Sequence, residues 1–284
     1  MELDIVLYDE KLRPQKEIVL CEDGTNTLYS KEFDEPYHST KDGALHESLE
    51  KHVKPSFSLK SDKESLTILD ICFGLGYNTF ATLYYVKEHN LKTKIHIISP
   101  EFDEGLVRSL DSFDFPAEFE SIKHIIRAVA TDLYYEDEQF KIEILIGDAR
   151  KVIRGLTSND LLCNNESFAG LTPLKERVDI VYQDAFSPAR NPLLWTKEWF
   201  ADVRAICKED AILTTYSTAA AIRLGLYENG FYIFVHRAYG IRFSTVASLK
   251  MLEGLEYIDM ELKKVRNPTA RSMRDKAYLK NMHR

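Results

Sequence analysis

Between Leu66 and Lys250 the chain alternates short apolar runs with helical patterns, and this alternation constrains its fold more than any other feature. TILDICF (67–73), KIHIIS (94–99), IEILIG (142–147), VDIVYQD (178–184) and AILTTYS (211–217) have the length and β-branched content of buried strands. Helical patterns follow over Asn78–Glu88, through Ile153, over Lys197–Cys207 and over Ala219–Tyr227. Strand–helix alternation predicts an α/β fold with a mainly parallel sheet covered on both faces. FYIFVH (231–236) and TVASLK (245–250) are expected to end that sheet as an antiparallel pair. Residues 104–140 are too long for a simple strand-to-helix connection, and Leu106, Leu110, Ile122, Ile125, Ile126 and Val129 predict a helical insertion capping the sheet edge. Upstream, Asp23-Gly24 between two β-rich runs predicts a hairpin over residues 16–29. A helix is expected from Ala44, a polar boundary over Lys54–Ser65 and an irregular loop over Asn159–Arg177. The expected organisation is an N-terminal hairpin segment (1–65), a main domain (66–250) and a basic tail (251–284).

Open α/β sheets bind ligands at the carboxyl ends of their strands. Here the first strand runs into Phe73-Gly74-Leu75-Gly76-Tyr77-Asn78 and the second into Ser99-Pro100-Glu101. The third runs into Gly147-Asp148-Ala149 and the fourth into Asp184-Ala185-Phe186-Ser187-Pro188. Gly74 and Gly76 permit a tight turn and close approach of backbone to a ligand. A dinucleotide loop needs a small third residue, where this chain has Thr79. Glu101 is either a carboxylate that accepts both hydroxyls of a ribose or an exposed loop acid. Asp148 either accepts from an adenine amino group or caps the next helix. Taken together these ends fit a nucleoside without pyrophosphate, S-adenosylmethionine, with Asn78 and Ala149 beside them in the cofactor set.

The 284 residues carry a formal charge of −8, which excludes a uniformly basic nucleic-acid binder. The charge is uneven. Residues 261–284 hold eight basic residues against two acidic ones, a net +6 that leaves −14 on the rest. That segment is either an electrostatic arm for phosphates or a solvated helix. No apolar run approaches the roughly 20 residues of a membrane helix, and Met1–Glu10 lacks a signal-peptide core. Cys21, Cys72, Cys163 and Cys207 form no CxxC pair, which suits a reducing cytoplasm and predicts no zinc site or disulfide framework. None of the eight histidines, His46 and His52 included, has a metal-binding spacing such as HExxH.

DICFGLGYNTF, IISPEF, IEILIGDAR and above all VDIVYQDAFSPARNPLLW resemble the methyltransferase domain of the MnmC family. So do Tyr37-His38-Ser39 with Gly43, Leu45 and Glu47, and the stretch through Trp195 to Tyr216, Ser217 and Gly230. The resemblance covers most of residues 25–250. It implies a Rossmann-like S-adenosylmethionine-dependent fold that completes the 5-methylaminomethyl group on the wobble uridine of certain tRNAs. Ala185, Ser187, Arg190 and Pro100 depart from the family's usual residues. Bifunctional members carry an FAD-dependent oxidase domain as well. This chain is expected to be a stand-alone methyltransferase domain whose aminomethyl substrate other enzymes supply.

On this reading Asp184 is the catalytic residue and lies beside the cofactor methyl, holding the substrate ammonium and accepting its proton; otherwise it caps the following turn. Phe186 and Pro188 would wall the pocket, and Phe186 or Trp195 would stack on the uracil, unless Trp195 is plain core. Arg190 is assigned to phosphate or to a surface ion pair, Tyr37 to cofactor or nucleotide or to packing, and Arg242 to RNA. The rival activities are an N-methyltransferase or aminopropyltransferase acting on a small amine, and a non-catalytic RNA-binding protein of the same fold.

Overall fold

The Asp23-Gly24 turn closes the first hairpin. β1 (Lys16–Leu20) and β2 (Asn26–Ser30) pair antiparallel with Leu20 opposite Asn26, and Gly24 takes the left-handed conformation the turn requires, φ 84°. β3 (Glu35–Pro36) adds antiparallel to β2. In this computed structural model residues 15–157 and 177–278 are described, so most of the loop expected over Asn159–Arg177, Cys163, and residues 279–284 of the tail lie outside the description. The chain forms two compact units, one reaching Ala149 and one starting at Arg150.

In the first unit the segment after the hairpin is helical where a polar boundary was expected. Ala44–Ser48 leads through a π-helical stretch, Leu49–Val53, into a helix over Lys54–Lys60. Pro55 sits in the first turn, where its missing N–H costs nothing, and Val53 and Phe57 are buried. Spacing of Pro, Ser and Lys masked that apolar face.

β4 (Ser65–Ile71), β5 (Lys94–Glu101), β6 (Tyr134–Glu136) and β7 (Phe140–Ile146) form the sheet of this unit in the order β4-β5-β7-β6. β4, β5 and β7 are parallel. Leu66, Ile68, Leu69 and Ile71 are all buried, as expected for strands covered on both faces. The insertion buries all six apolar residues named for it, in helices Glu104–Arg108 and Lys123–Asp132 and two short 3-10 turns between them. It also supplies the sheet edge itself: Leu133 turns left-handed, φ 59°, and β6 then pairs antiparallel with β7. A three-residue strand, YYE, carries too little alternation to announce itself.

The second unit contains β8 (Val178–Gln183), β9 (Cys207–Thr215), β10 (Tyr232–His236), β11 (Ser244–Ser248) and β12 (Glu256–Tyr257). β8 and β9 are parallel; β11 runs antiparallel to β9, β10 to β11, and the two-residue β12 to β10. The expected terminal antiparallel pair is therefore present, with β12 added. Helix Lys197–Ile206 begins at Thr196, whose Oγ1 accepts the Trp199 N–H. The described part of the basic tail is docked around Arg274 and Asp275. Asp275 takes a two-pronged ion pair from Arg150, accepts the Thr196 hydroxyl at 2.6 Å, and lies next to Arg274, which donates to Glu198 at 2.7 Å. No helix among the described residues is long and apolar enough to cross a membrane.

Candidate functional site

The first unit gathers one cluster of the expected site residues at the carboxyl ends of its parallel strands. After β4 the backbone enters the left-handed region at Cys72 (φ 65°), Gly74 (φ 54°) and Gly76 (φ 74°). At Cys72, a non-glycine residue, this stores local strain on the order of 1–3 kcal/mol. Gly74 donates its N–H to Glu101 Oε2 at 2.8 Å, while Glu101 Oε1 accepts from the amides of Phe102 and Asp103, each at 2.8 Å. Gly147 in turn donates its N–H to the Glu101 carbonyl at 2.8 Å, which brings the residue before Asp148 to the same place. Burial pushes the Glu101 carboxyl above the usual carboxylate range, opposed by those amide donors.

Tyr37 closes over this loop. A Cβ at Gly74 would stand 3.1 Å from the Tyr37 ring, so the absent side chain is what lets the ring approach. Burial, then the Glu101 and Asp103 carboxylates, hold the Tyr37 hydroxyl protonated by raising its pKa. Asp103 caps helix Glu104–Arg108 through the Leu106 amide, 2.9 Å, and takes an ion pair from the buried Lys16 of β1. Asn78 is buried in the first turn of helix Tyr77–Glu88. Thr79 donates its hydroxyl to Asp70 Oδ2 at 2.7 Å, so the residue that breaks the dinucleotide fingerprint is tied into the core. Asp148 is exposed and Ala149 opens helix Ala149–Thr157.

These residues fit S-adenosylmethionine. The Glu101 carboxylate is buried among neutral amide donors; Oε2 accepts one of them, which leaves it capacity to accept a further donor such as a hydroxyl. Phe102, next in sequence, is 78% exposed. Sequence reasoning missed it, and also Asp103 and Lys16; an aspartate just before the Glu104–Arg108 helix is the signal that marks Asp103 as a cap.

The second unit holds the remaining expected residues. Asp184 and Phe186 are half-buried directly after β8, and Pro188 lies in the turn that follows, with the Arg190 and Asn191 amides donating to the Ser187 carbonyl. Two side chains from other elements fix this segment. Tyr216, at the end of β9, donates its hydroxyl to the Ala185 carbonyl at 3.0 Å, and Trp195 donates Nε1–H to the Phe186 carbonyl at 2.8 Å. The Trp195 and Tyr216 rings meet edge-on with centroids 5.5 Å apart. Trp195 is fully buried, so it supports the loop from behind and has no open face; Phe186 is the aromatic that keeps exposure. Arg190 is exposed, and Arg242 lies on the exposed turn between β10 and β11.

Residues 120–250 match the profile of an S-adenosyl-L-methionine-dependent methyltransferase family. Among solved structures, MnmC2 from Aquifex aeolicus is 33% identical, with a TM-score of 0.74 over 92% of this chain and 79% of that one. An uncharacterized protein of Methanocaldococcus jannaschii is 31% identical over 79% of this chain and 56% of its own length. The tRNA 5-methylaminomethyl-2-thiouridine biosynthesis bifunctional protein MnmC of Azoarcus sp. is 27% identical over 74% of this chain and 32% of its own. The chain thus spans little more than half of the first of these curated relatives and about a third of the second. It belongs to the S-adenosylmethionine-dependent methyltransferase family that includes MnmC2.

Proposed function

We propose that the protein methylates the 5-aminomethyl group of the wobble (2-thio)uridine in tRNA, giving 5-methylaminomethyl(-2-thio)uridine. The observation that carries this reading is the pairing of a carboxylate with an aromatic ring, Asp184 and Phe186, on a loop held by Tyr216 and Trp195. An acid beside a ring suits an ammonium group carried on a pyrimidine. The relatives named for 5-methylaminomethyl-2-thiouridine biosynthesis support the same substrate.

When bound, S-adenosylmethionine supplies an electrophilic methyl on a sulfonium sulfur. Glu101 would accept the ribose hydroxyls, Phe102 would flank the adenine, Asp148 would accept from its amino group, and Tyr37 would shield the glycine loop. Asn78 and Ala149 complete this set. Asp184 acts on the acceptor. An alkyl ammonium resembling that of lysine, pKa about 10.4, is mostly protonated at neutral pH and has no free electron pair. Asp184 would hold the ammonium and take one proton from it, so that the freed nitrogen pair could displace the methyl from the sulfonium sulfur, which would leave as a neutral thioether. Alignment is the larger share, since positioning supplies roughly 7–11 kcal/mol in well-oriented reactions. Phe186 and Pro188 border the uracil, and Arg190 meets phosphate.

The test is transfer of label from S-adenosylmethionine to tRNA bearing the aminomethyl group and to the same tRNA lacking it. Label in the first and none in the second is expected. Labelling that ignores the amine, or that is as efficient on small free amines, overturns the reading.

A further inference from the structure

The turn joining β10 to β11 has a composition that nothing in the methyl-transfer chemistry uses. Its sequence from His236 to Phe243 is HRAYGIRF, and no acidic residue occurs from there until Glu253, on a chain whose net charge is −8. Tyr239 is 98% exposed and Phe243 54% exposed. The Arg237 guanidinium lies over the Phe243 ring, 4.0 Å from its centroid, and is held by Glu256 at 2.8 Å. The stack orders the Phe243 ring without burying it, so the ring is presented to solvent in a defined position. Arg242 is exposed beside it.

The location of this turn follows from strand direction. β8 and β9 are parallel, β11 opposes β9, and β10 opposes β11, so β10 runs the same way as β8. The β10–β11 turn therefore lies at the sheet edge where β8 delivers Asp184 and β9 delivers Tyr216. β9 and β11 separate β10 from β8, which makes the offset three strand spacings, on the order of 14 Å. Thr245, two residues past the tip, donates its hydroxyl to the Ser217 carbonyl at 2.6 Å and accepts from Arg223 Nε at 3.0 Å. The base of the turn is thus anchored to the end of β9.

We propose that residues 237–243 form a docking tip for single-stranded RNA, with Tyr239 and Phe243 stacking on unpaired bases and Arg242 meeting the backbone phosphates. Exposed aromatics interleaved with arginines are what unpaired nucleotides require, because every base has a face to stack and every linkage a negative charge. The placement suits nucleotides a few positions from the base that receives the methyl. The identity of the RNA as a tRNA anticodon loop rests on the reading under Proposed function; the tip itself does not.

The experiment compares the wild type with the double variant Tyr239→Ala, Phe243→Ala. Affinity for a fluorescent, unmodified anticodon stem-loop is read by anisotropy, with calorimetry for S-adenosylmethionine, thermal melting and sedimentation alongside. The proposal expects RNA affinity to fall by about tenfold or more, with cofactor affinity and melting temperature unchanged, and a wild-type preference for the stem-loop over a duplex of equal length. Unchanged RNA affinity in the variant overturns it, as does a wild type that binds no RNA. So does a loss of self-association with RNA binding intact, which would make the tip a protein interface. Methyl transfer to aminomethylated tRNA separates the two claims. A wild type that binds the stem-loop through the tip and transfers no methyl contradicts the proposed reaction and leaves the tip standing. Transfer with a KM for tRNA that the double variant does not alter contradicts the tip and leaves the reaction standing.

Discussion

Glu101 Oε2 accepts the Gly74 amide at 2.8 Å, so a single buried carboxylate locks the glycine loop after β4 to the end of β5. The acid has no cationic partner among the described residues; its charge is met by backbone dipoles alone. Such a carboxylate is prepared to accept hydroxyl donors.

Glu101→Gln removes a charged acceptor and places an amide N–H near amide donors. We expect S-adenosylmethionine to bind about 10- to 100-fold more weakly, from hydrogen bonds to a charged group worth roughly 1.5–3 kcal/mol. Calorimetric affinity equal to wild type would remove Glu101 from the cofactor site.

The same residue sets a pH dependence. Burial raises the Glu101 pKa, so the carboxylate takes up its proton at a higher pH than an ordinary glutamate. If ribose hydroxyls donate to the ionised form, as proposed, cofactor affinity should decline as pH falls, beginning above the ordinary value of about 4.3. In Glu101→Gln this decline should vanish. A wild-type affinity that holds steady down to that value would contradict the assignment.

Asp184→Ala is expected to lower methyl transfer by roughly 10²- to 10⁴-fold, the usual contribution of a positioned proton acceptor. Cofactor affinity should stay within about twofold, well inside the tenfold that 1.4 kcal/mol represents. Comparable losses of both would make Asp184 a structural residue.

Tyr216→Phe keeps the ring against Trp195 and deletes the hydroxyl that holds the Ala185 carbonyl. The expected signature is a reduced kcat with unchanged cofactor affinity and a stability loss of about 1 kcal/mol. A wild-type kcat would show that the Asp184 loop needs no such brace.

Gly76→Ala tests the loop itself. Gly76 sits at φ 74°, and an added Cβ would lie 2.6 Å from both the Phe73 and Phe80 rings. Strain and overpacking together should destabilise the fold by about 2 kcal/mol or more. A melting temperature within a degree of wild type would be inconsistent with this geometry.

Much of this architecture was legible because buried strands advertise themselves: β4, β5, β7, β8 and the second half of β9 are rich in Ile, Leu, Val and Thr, and the candidate site residues directly follow most of them. What escaped was short or set by tertiary contact. β6 and β12 have three and two residues, below any periodic signal. The helix over Lys54–Lys60 hid behind Pro55 and its serines. Trp195 was read either as a stacking residue or as plain core, and it is core; its bond to the Phe186 carbonyl and its contact with Tyr216 depend on partners nine and twenty-one residues away. The net charge of the tail was readable, but not that Asp275 and Arg274 spend themselves on Arg150 and Glu198.

The most direct measurement is mass spectrometry of nucleosides digested from aminomethylated tRNA after reaction with the protein and S-adenosylmethionine. The account predicts one added methyl on the exocyclic nitrogen of the wobble uridine, present with wild type and absent with Asp184→Ala. A methyl on ribose or on another base, or no methyl on any nucleoside, would contradict it.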